Sequence, residues 1–452
     1  MRIHFIAIGG AVMHNLALTL HENGHQVSGS DDEIYNPSRS RLERYGLLPD
    51  KMGWDVERIT SNIDVVILGM HARKDNPELA RAKELNLPIY SYPEYIYQHA
   101  KDKKRVVIAG SHGKTTTTSM VLHVLQYHDV DFDYLVGAQI EGFELMARLS
   151  DAPVIVMEGD EYLSSPLDLR PKIHHYFPHI TVLTGIAWDH MNVFPTFENY
   201  VDQFRQFLNM MPTDAKLFYA ADDENVRALM AERDEDWSVK TQAYEAFDAQ
   251  LKDGKTELFT SDGTTVPLEI FGQHNLANLK AAFLVCRELG ISEAAFMEAV
   301  PSFKGAAKRL QLLREEDNFV AYLDFAHAPS KVAATMLAFK NQYPERKLVA
   351  CLELHTFSSL NKAFLPQYAE SLNPADEAYV FYSPHTLEIK KLPPLSKEEI
   401  ATHFDHPNLQ VFTDSAALQS QLKKYHWKNQ NLLMMSSGTF GGLDYQAFVK
   451  EL

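Results

Sequence analysis

The chain has 452 residues, more than one ordinary hydrophobic core accommodates, and this length predicts two or three domains, of which we expect three. With 45% hydrophobic and 23% charged residues it has the composition of an average globular protein, which excludes disordered and fibrous architectures. The formal net charge of -17 argues against a nucleic-acid partner, because phosphate backbones are bound by clustered Lys and Arg side chains.

Two cysteines, Cys286 and Cys351, lie inside apolar runs and have neither the pattern of a disulfide framework nor a metal-ligand spacing. They predict a reducing compartment. The apolar run at the start of the chain is too short for a signal peptide, and no stretch is long enough to span a membrane. We therefore expect a cytoplasmic protein without a membrane partner, and the sequence leaves its oligomeric state open.

The first hundred residues have the pattern of a parallel α/β sheet, because short apolar strands alternate with segments of helical length. These strands are predicted at residues 3–8, 26–29 and 64–68. Gly9 and Gly10 form the first turn, a helix is predicted over 13–23, and Asp31 follows the second strand at about the spacing of a dinucleotide-binding fold. Ala7 stands where that fingerprint has its first glycine, so a plain strand-to-helix turn is an equal alternative.

Two further α/β patterns follow. A charged run, 101–105, is interpreted as a solvated linker, and it ends a first domain of residues 1–102. A second domain, 103–300, and a third, 301–452, each contain several apolar strands. Those strands are predicted at 106–109, 154–157, 180–184 and 216–220, and then at 320–323, 348–352, 377–381 and 432–435.

The end of the second domain has a different pattern. Residues 236–270 contain Asp253-Gly254 and Ser261-Asp262-Gly263, turn signals that predict short hairpin strands. A helix is then predicted over 276–289, with Gly290 as its C-terminal cap.

A phosphate-binding loop is predicted directly after the strand 106–109, before a helical pattern over 119–127. The loop reads Gly110-Ser111-His112-Gly113-Lys114-Thr115-Thr116. Its glycines allow backbone N–H groups to face phosphate oxygens, Lys114 suits the terminal phosphates, and Thr115 can ligate magnesium. The glycine that a general P-loop has five residues before the Gly-Lys pair is Ile108 here, so the motif is a shortened form.

Acidic and histidine side chains follow the next two predicted strands. Glu158, Asp160 and Glu161 come directly after 154–157, and Asp189 with His190 follows 180–184. Ligands of open α/β sheets gather at the carboxyl ends of the strands, and carboxylate oxygens are suitable magnesium ligands. A solvated acidic turn and a structural histidine are the alternative interpretations at these positions.

Three later segments also place polar groups beside predicted elements. Asn275 and Asn278 open a helix on one face, for which simple N-capping is the alternative. Lys308 and Arg309 lie at the second domain junction, where ligands often bind. Asp324 follows a buried strand together with a histidine, and spacing alone assigns neither of them a catalytic role.

Taken in order, these segments resemble the Mur ligase family over essentially the whole chain. The matching motifs are G-x-x-G-K-T, E-x-D-E, D-H, H-N-x-x-N, a basic pair after F-x-G, and D-x-x-H-x-P. The resemblance implies an α/β protein of three domains: a Rossmann-like UDP-binding domain, a central P-loop ATPase domain and a Rossmann-like C-terminal domain. It also implies an ATP-dependent ligase that forms an amide bond to the carboxylate of UDP-N-acetylmuramate through an acyl-phosphate.

The resemblance further implies roles for individual residues. Lys114 would neutralise phosphate charge, Thr115 and Glu158 would hold one Mg²⁺, and His190 would hold a second, with Glu161 as a further ligand. The other nucleotide contacts implied for ATP are those of Asn275, Asn278, Lys308, Arg309 and Asp324. Candidates for the UDP moiety are Gly9, Gly10, Asp31 and His71, and an exposed loop histidine is the alternative at position 71.

Within the family, two acceptors are compatible with the motifs. The segments 29–37, 172–178 and 437–442 favour the murein tripeptide L-Ala-γ-D-Glu-meso-diaminopimelate, used in peptidoglycan recycling, over L-alanine. Ala328 replaces the second histidine of the alanine-ligase pattern, and 353–359 has no arginine, which also indicates a different acceptor. An alternative from another class is a nucleotide-binding regulator without catalytic activity.

Overall fold

The structure, a computed structural model, describes residues 1–140, 142–234, 236–252 and 255–452. It consists of two compact units. The first is formed by Met1–Ile186, Glu198–Tyr244 and Ala281–Phe296, and the second by Ala187–Phe197, Glu245–Lys280 and Met297–Leu452. Each β-sheet described below lies wholly within one unit.

The first unit begins with a fully parallel sheet, as the sequence predicted, but the sheet has four strands and the prediction located three of them. Its elements are β1 (Arg2–Ile6), α1 (Ala11–Glu22), β2 (Gln26–Ser30), α2 (Ser38–Arg44), β3 (Val65–Leu68), α3 (Pro77–Glu84), β4 (Ile89–Ser91) and α4 (Tyr92–Ala100), with a 3-10 turn at Val56–Arg58. The strand order is β2-β1-β3-β4. The predicted first strand was two residues too long at its C-terminal end, because the chain leaves the sheet at Ala7.

The second sheet of this unit has seven strands, in the order β11-β10-β9-β5-β8-β6-β7, and only β7 is antiparallel. Its elements are β5 (Lys104–Ala109), α5 (Lys114–Tyr127), β6 (Asp133–Leu135), β7 (Ala147–Arg148), β8 (Val154–Glu158), β9 (Ile180–Leu183), α6 (Phe197–Asn209), β10 (Lys216–Ala220), α7 (Glu224–Ala231) and β11 (Lys240–Tyr244), with a 3-10 turn at Lys172–His175.

The second unit contains an antiparallel sheet, β12-β13-β14, and a six-stranded sheet, β15-β16-β20-β17-β18-β19. The remaining elements of the chain are β12 (Ala249–Lys252), β13 (Lys255–Phe259), β14 (Thr265–Leu268), α8 (Gln273–Glu288), α9 (Glu293–Ala299), β15 (Gln311–Glu316), β16 (Phe319–Asp324), α10 (Pro329–Gln342), β17 (Lys347–Leu354), β18 (Glu377–Tyr382), α11 (Pro384–Ile389), α12 (Lys397–Phe404), β19 (Leu409–Phe412), α13 (Ser415–Leu422), β20 (Gln430–Met435) and α14 (Tyr445–Lys450), with 3-10 turns at Val300–Ser302 and Leu365–Tyr368.

The six-stranded sheet is buried on both faces. Along β17, Leu348, Ala350 and Leu352 pack into one apolar cluster, whereas Val349 and Cys351 pack into another. Successive side chains of a strand point to opposite faces, so a strand covered on both sides is apolar throughout. This explains why the strands of this region could be located as continuous apolar runs.

The hairpin prediction for residues 236–270 was partly wrong. Its first strand, β11, pairs in parallel with β10 and extends the seven-stranded sheet, while β12, β13 and β14 form the predicted antiparallel strands. The predicted Asp253-Gly254 turn lies outside the described residues. Gly290, with φ +93°, follows the end of α8 as predicted, in the left-handed conformation that favours glycine.

The interpretation of the charged run 101–105 as a solvated linker was only partly right, because Lys101, Asp102 and Lys104 are exposed but Lys103 and Arg105 are not. Its last two residues belong to β5, and Arg105 is buried with its guanidinium group donating to Ala100 O at 3.1 Å and to Tyr176 O at 3.0 Å. Lys103 Nζ lies 2.7 Å from the buried Asp133 carboxylate. These cations are structural because each one compensates buried acceptors, which composition alone does not reveal.

Helix α1 attaches the first sheet to the second. Asn15, Thr19 and Asn23 occupy one face of the helix at a spacing of four residues. Asn15 Oδ1 accepts from Met146 N at 3.1 Å, Thr19 Oγ1 donates to Ala147 O at 2.9 Å, and Asn23 Nδ2 donates to Leu149 O at 2.6 Å. The edge strand β7 is thereby hydrogen-bonded to a helix of the first sheet, which explains why the two sheets form one unit.

In the described part of the chain, no helix combines the length and the apolar character needed to cross a bilayer. Cys286 and Cys351 are both buried and unpaired with each other.

Candidate nucleotide-binding and ligation site

The predicted phosphate loop connects β5 to α5 and requires glycine at two positions. Gly110 has φ +127°, and a Cβ atom there would lie 2.3 Å from Thr184 Oγ1 and 2.9 Å from Gly185 O. Gly113, with φ +77°, directly precedes the helix. Helix α5 begins at Lys114, five residues before the predicted start, so its N-terminal N–H groups face the loop.

Lys114 is paired with the strand-end acids. Its Nζ lies 2.8 Å from Glu161 Oε2, and the Glu161 side chain is buried while that of Lys114 is 14% exposed. Burial by itself would lower the pKa of Lys114, but Glu161, with Glu158 and Asp160 nearby, outweighs it and raises that pKa. The lysine is therefore a fixed cation at neutral pH, at the end of the loop where phosphate charge would have to be neutralised.

Thr115 and Glu158, the predicted magnesium ligands, are in direct contact. Thr115 Oγ1 donates to Glu158 Oε1 at 2.7 Å, and Gly137 N donates to Glu158 Oε2 at 2.7 Å. A hydroxyl and a carboxylate are therefore held together at the carboxyl end of β8. Hard oxygen donors of this kind suit Mg²⁺.

The remaining loop residues shape the loop backbone. Ser111 N donates to Gly185 O at 2.9 Å, and His112 O accepts the Thr184 hydroxyl. Thr116 is buried in the first turn of α5. The loop is therefore tied to the end of β9 by hydrogen bonds from both sides.

In the second unit, the carboxylate of Asp189 lies near the side chains of Lys331 and His327, and His190 is the next residue in the chain. Asp189 Oδ1 accepts from His190 N at 2.7 Å, and its Oδ2 lies 3.5 Å from Lys331 Nζ and 3.9 Å from His327 Nε2. Burial by itself would raise the pKa of Asp189, but the charge of Lys331, the largest opposing cause, lowers it. Burial also lowers the pKa of His327 to about 3, so this imidazole is neutral at pH 7.

Asp324 holds the loop that carries the basic pair. Its Oδ2 accepts from Leu310 N at 2.7 Å, and its Oδ1 accepts from Ala326 N at 2.7 Å. Arg309 lies with Cζ 4.2 Å from the centre of the Phe325 ring, and Lys308 has a left-handed backbone with φ +56°. The acid therefore fixes the backbone directly after the pair and the turn after its own strand, a role that its spacing did not indicate.

Asn275 and Asn278 are buried in the first turns of α8. Asn275 Nδ2 donates to Phe271 O at 2.9 Å, and Asn278 Nδ2 lies 3.5 Å from Asn275 Oδ1. Asn275 lies inside the helix, which begins at Gln273, so it is not the N-cap that was the alternative interpretation. Burial lowers the pKa of the neighbouring His274, with Asp324 acting in the opposite direction.

Glu353, near the end of β17, is a buried carboxylate surrounded mainly by residues that follow β20, and the segment 353–359 has no arginine. Glu353 Oε2 accepts from Ser436 Oγ and from Phe440 N, the latter at 2.8 Å, and Glu353 Oε1 lies 3.7 Å from His355 Nδ1. A Cβ atom at Gly438 would lie 2.8 Å from Glu353 Oε2. The residues 436–440 are therefore shaped around this acid.

The first turn of the chain brings Gly9 and Asp31 together. Gly9 N donates to Asp31 Oδ2 at 2.7 Å, and a side chain at position 9 would meet that same oxygen. Gly10 is the N-cap of α1. Ala7, which occupies the place of the missing glycine, adopts the left-handed conformation with φ +69°. His71 is exposed beyond the end of β3.

Asp31→Asn is expected to gain stability relative to the wild type as the pH rises. Burial is the main cause that raises the pKa of Asp31, from 3.8 to about 6, so the folded state binds this proton more tightly than the unfolded chain. That contribution to stability is present below pH 3.8 and is lost as the pH rises through 6. The difference in melting temperature between Asp31→Asn and the wild type should therefore change between pH 4 and pH 8. The exposed control Asp75→Asn should keep a constant difference from the wild type, and a constant difference for Asp31→Asn would contradict the prediction.

Comparisons with known proteins show which family the chain belongs to. Three family descriptions match it in succession: "Mur ligase family, catalytic domain" at 2–104, "Mur ligase middle domain" at 108–286 and "Mur ligase, glutamate ligase domain" at 308–438. The UDP-N-acetylmuramate–L-alanine ligase of Arthrobacter sp. (strain FB24) is 32% identical, over 84% of this chain and 80% of its own. The chain belongs to the Mur ligase family.

Two further relatives cover nearly the whole chain. The UDP-N-acetylmuramate–L-alanyl-γ-D-glutamyl-meso-2,6-diaminoheptandioate ligase of Escherichia coli (strain K12) is 28% identical, over 98% of this chain and 96% of its own. The crystal structure of a murein peptide ligase from Psychrobacter arcticus 273-4 covers 100% of this chain and 98% of its own, with a TM-score of 0.68 and 22% identity. The predicted three-domain α/β fold and the predicted ATP-dependent ligase class are confirmed.

Two residues of this Mur ligase that contact the candidate site were not predicted. Lys172 Nζ lies 2.6 Å from Asp160 Oδ2, and Tyr200 OH donates to Glu161 Oε1 at 3.0 Å. Burial alone would raise the pKa of Asp160, but Lys172 and Lys114 lower it. Lys172 lies in the segment 172–178, which the sequence related only to the choice of acceptor. No sequence pattern indicated that Lys172 or Tyr200 contacts this site.

Proposed function

We propose that the chain joins the tripeptide L-Ala-γ-D-Glu-meso-diaminopimelate to the carboxylate of UDP-N-acetylmuramate, with cleavage of ATP to ADP and phosphate, in peptidoglycan recycling. The observation that supports activation by ATP is the contact between the phosphate loop and the acids at the strand ends, Lys114 with Glu161 and Thr115 with Glu158. The acceptor is supported by the full-length match to the E. coli tripeptide ligase, whereas the L-alanine ligase match is shorter.

In the proposed reaction the muramyl carboxylate attacks the γ-phosphorus of ATP, and ADP leaves. The acceptor amine then attacks the acyl carbon, phosphate leaves, and the amine proton passes to solvent. Lys114 would neutralise the transferred phosphoryl group, and the N–H groups at the start of α5 would orient the other phosphates. Such fixed charges contribute most of the catalysis in phosphoryl transfer.

The oxygen donors of the site fit a magnesium ion. Thr115 Oγ1 and Glu158 Oε1 already lie 2.7 Å apart, both at the end of the loop that would hold the phosphates. Thr115 and Glu158 would hold Mg²⁺, which would supply positive charge against the phosphates of ATP. We propose His190 as a ligand of a second ion, and Glu161 as a weaker candidate because it is paired with Lys114.

The other proposed roles follow the family resemblance. Asn275 and Asn278 would contact the adenine side of ATP, and Lys308, Arg309 and Asp324 would meet the nucleotide from the third domain. Gly9, Gly10, Asp31 and His71 would contact the UDP moiety, which is supported at Gly9 and Asp31 by their hydrogen bond. We further propose domains of 1–102, 103–300 and 301–452, and a cytoplasmic location, which the two buried free thiols support.

Two other functions are tested by the same assay. L-alanine ligation is favoured by the higher identity of the L-alanine ligase, 32% against 28%. A regulator without catalytic activity would bind ATP and release no phosphate.

The test measures phosphate release by the full chain with ATP, Mg²⁺ and UDP-N-acetylmuramate, comparing the tripeptide with L-alanine. We expect kcat/KM to be roughly 100-fold or more higher with the tripeptide, because polar groups shaped for a longer acceptor stay unpaired with L-alanine. Phosphate release that is stimulated by L-alanine and not by the tripeptide would overturn the proposal that the tripeptide is the acceptor. ATP binding without release in either case would indicate the regulator.

A further inference from the structure

We propose that Tyr200 is a positioning residue of the ATP site, which holds the phosphate loop and the partner of Lys114 in one arrangement. The inference rests on the proposed function, since it concerns the same nucleotide. Tyr200 lies on α6, away from the motifs, and its side chain is fully buried. Its ring packs edge-on against Phe204, with centroids 5.3 Å apart, so the position of the hydroxyl is fixed.

The hydroxyl of Tyr200 joins two groups on different segments. It lies 2.9 Å from Ser111 Oγ in the phosphate loop and donates to Glu161 Oε1 at 3.0 Å. A phenol has one proton, and an ionised carboxylate only accepts, so Ser111 must be the donor to Tyr200. The direction of each hydrogen bond is therefore determined, from Ser111 to Tyr200 to Glu161.

The second carboxylate oxygen of Glu161 extends this series of hydrogen bonds to Lys114. Glu161 Oε2 lies 2.8 Å from Lys114 Nζ, and the side chains of Ser111, Glu161 and Tyr200 are 3%, 2% and 0% exposed. Water cannot replace a missing partner at this depth. Loss of the Tyr200 hydroxyl would therefore force the side chains of Ser111 and Glu161 to change position. The orientation of Glu161, and with it the position of Lys114, would change.

The experiment compares Tyr200→Phe with Tyr382→Phe in the full chain. Phe removes only the hydroxyl. Tyr382 is also a buried tyrosine, 3% exposed against 0% for Tyr200, and its hydroxyl donates to Leu395 O at 2.6 Å in the second unit. For Tyr200→Phe we expect the KM for ATP, and the Kd for ATP·Mg²⁺ measured by calorimetry, to rise roughly tenfold. The KM for UDP-N-acetylmuramate should stay unchanged, and Tyr382→Phe should change neither constant.

Ser111→Ala provides a second variant, in case Tyr200→Phe does not fold. It should raise the KM for ATP in the same direction, and the double variant should be no worse than Tyr200→Phe alone, because both changes break one chain of hydrogen bonds. An unchanged KM and Kd for ATP in a folded Tyr200→Phe or Ser111→Ala variant would overturn the positioning role. Failure of the wild type to bind ATP would instead overturn the proposed function.

Discussion

Lys114→Ala is expected to lower kcat/KM for ligation by about 10³-fold or more, while the affinity for UDP-N-acetylmuramate is unchanged. The lysine is the partly buried cation at the end of the phosphate loop, and its pKa is raised by Glu161, Glu158 and Asp160 against the effect of burial. Removal of a fixed charge from a phosphoryl-transfer site costs about two to three orders of magnitude or more in rate. Here it also leaves Glu161 buried without its cation.

The measurement is phosphate release under saturating tripeptide, with binding of the UDP-sugar followed separately by calorimetry. Lys83→Ala, at an exposed position of α3, is the matched control and should retain full activity. Turnover within about twofold of the wild type would show that Lys114 does not contact the transferred phosphate, given the size of effect expected from such contacts. Equal losses in ligation and in UDP-sugar affinity would indicate a folding defect instead.

Asp133→Ala is expected to reduce the free energy of unfolding by about 3–5 kcal/mol, the cost of breaking a buried ion pair by removing one partner. Asp133 is 0% exposed, and its carboxylate accepts from Lys103 Nζ at 2.7 Å, His99 Nε2 at 3.2 Å and Ser150 Oγ at 2.6 Å. The lysine is held by this acid between α4 and β6. Without the acid its charge would remain buried beside carbonyl groups only.

The pH dependence of this effect has a defined sign. Burial alone would raise the pKa of Asp133, but the hydrogen bonds from His99, Lys103 and Ser150 lower it below its ordinary 3.8. The stabilisation is therefore present above pH 3.8 and is lost as the pH falls through the lowered pKa. Chemical unfolding at pH 7 and at pH 3 should show a large difference between variant and wild type at pH 7 and a smaller one at pH 3.

Asp131→Ala is the control for this variant. Asp131 lies two residues away, is 61% exposed, and pairs with Arg148 at 2.8 Å. An exposed ion pair contributes about 0–1 kcal/mol, so its loss should change stability little. Similar losses in the two variants would mean that burial of the Asp133 cluster does not determine its energy.

Local patterns predicted much of the fold because buried strands are apolar on both faces. The strands β9, β10, β17 and β18 were located within a few residues. Strands that lie at sheet edges were missed, such as β7, β15 and β19, since their short or polar sequences have no such run. The parallel pairing of β11 with β10 could not be predicted from the sequence either, because strand pairing depends on where the chain returns to the sheet.

The residues of the candidate site also fall into a group that the sequence predicted and a group that it did not. The glycines at positions 110 and 113, the lysine that follows them and the strand-end acids were predicted, since each has a motif whose spacing the backbone of a strand and a helix dictates. Tyr200 and Lys172 had no motif. Their hydroxyl and ammonium groups reach the acids only through the packing of elements that are separate in sequence.

By itself, the sequence determined the chemistry available to this protein: a phosphate loop, oxygen ligands after successive strands, and membership in a family of amide ligases. The tertiary structure decided which charges meet. It paired Lys114 with Glu161, made the supposed linker cations Lys103 and Arg105 structural, and bound the first two sheets into one unit through α1. Such pairings join residues distant in sequence, and burial removes water as the alternative partner, so only the folded arrangement specifies them.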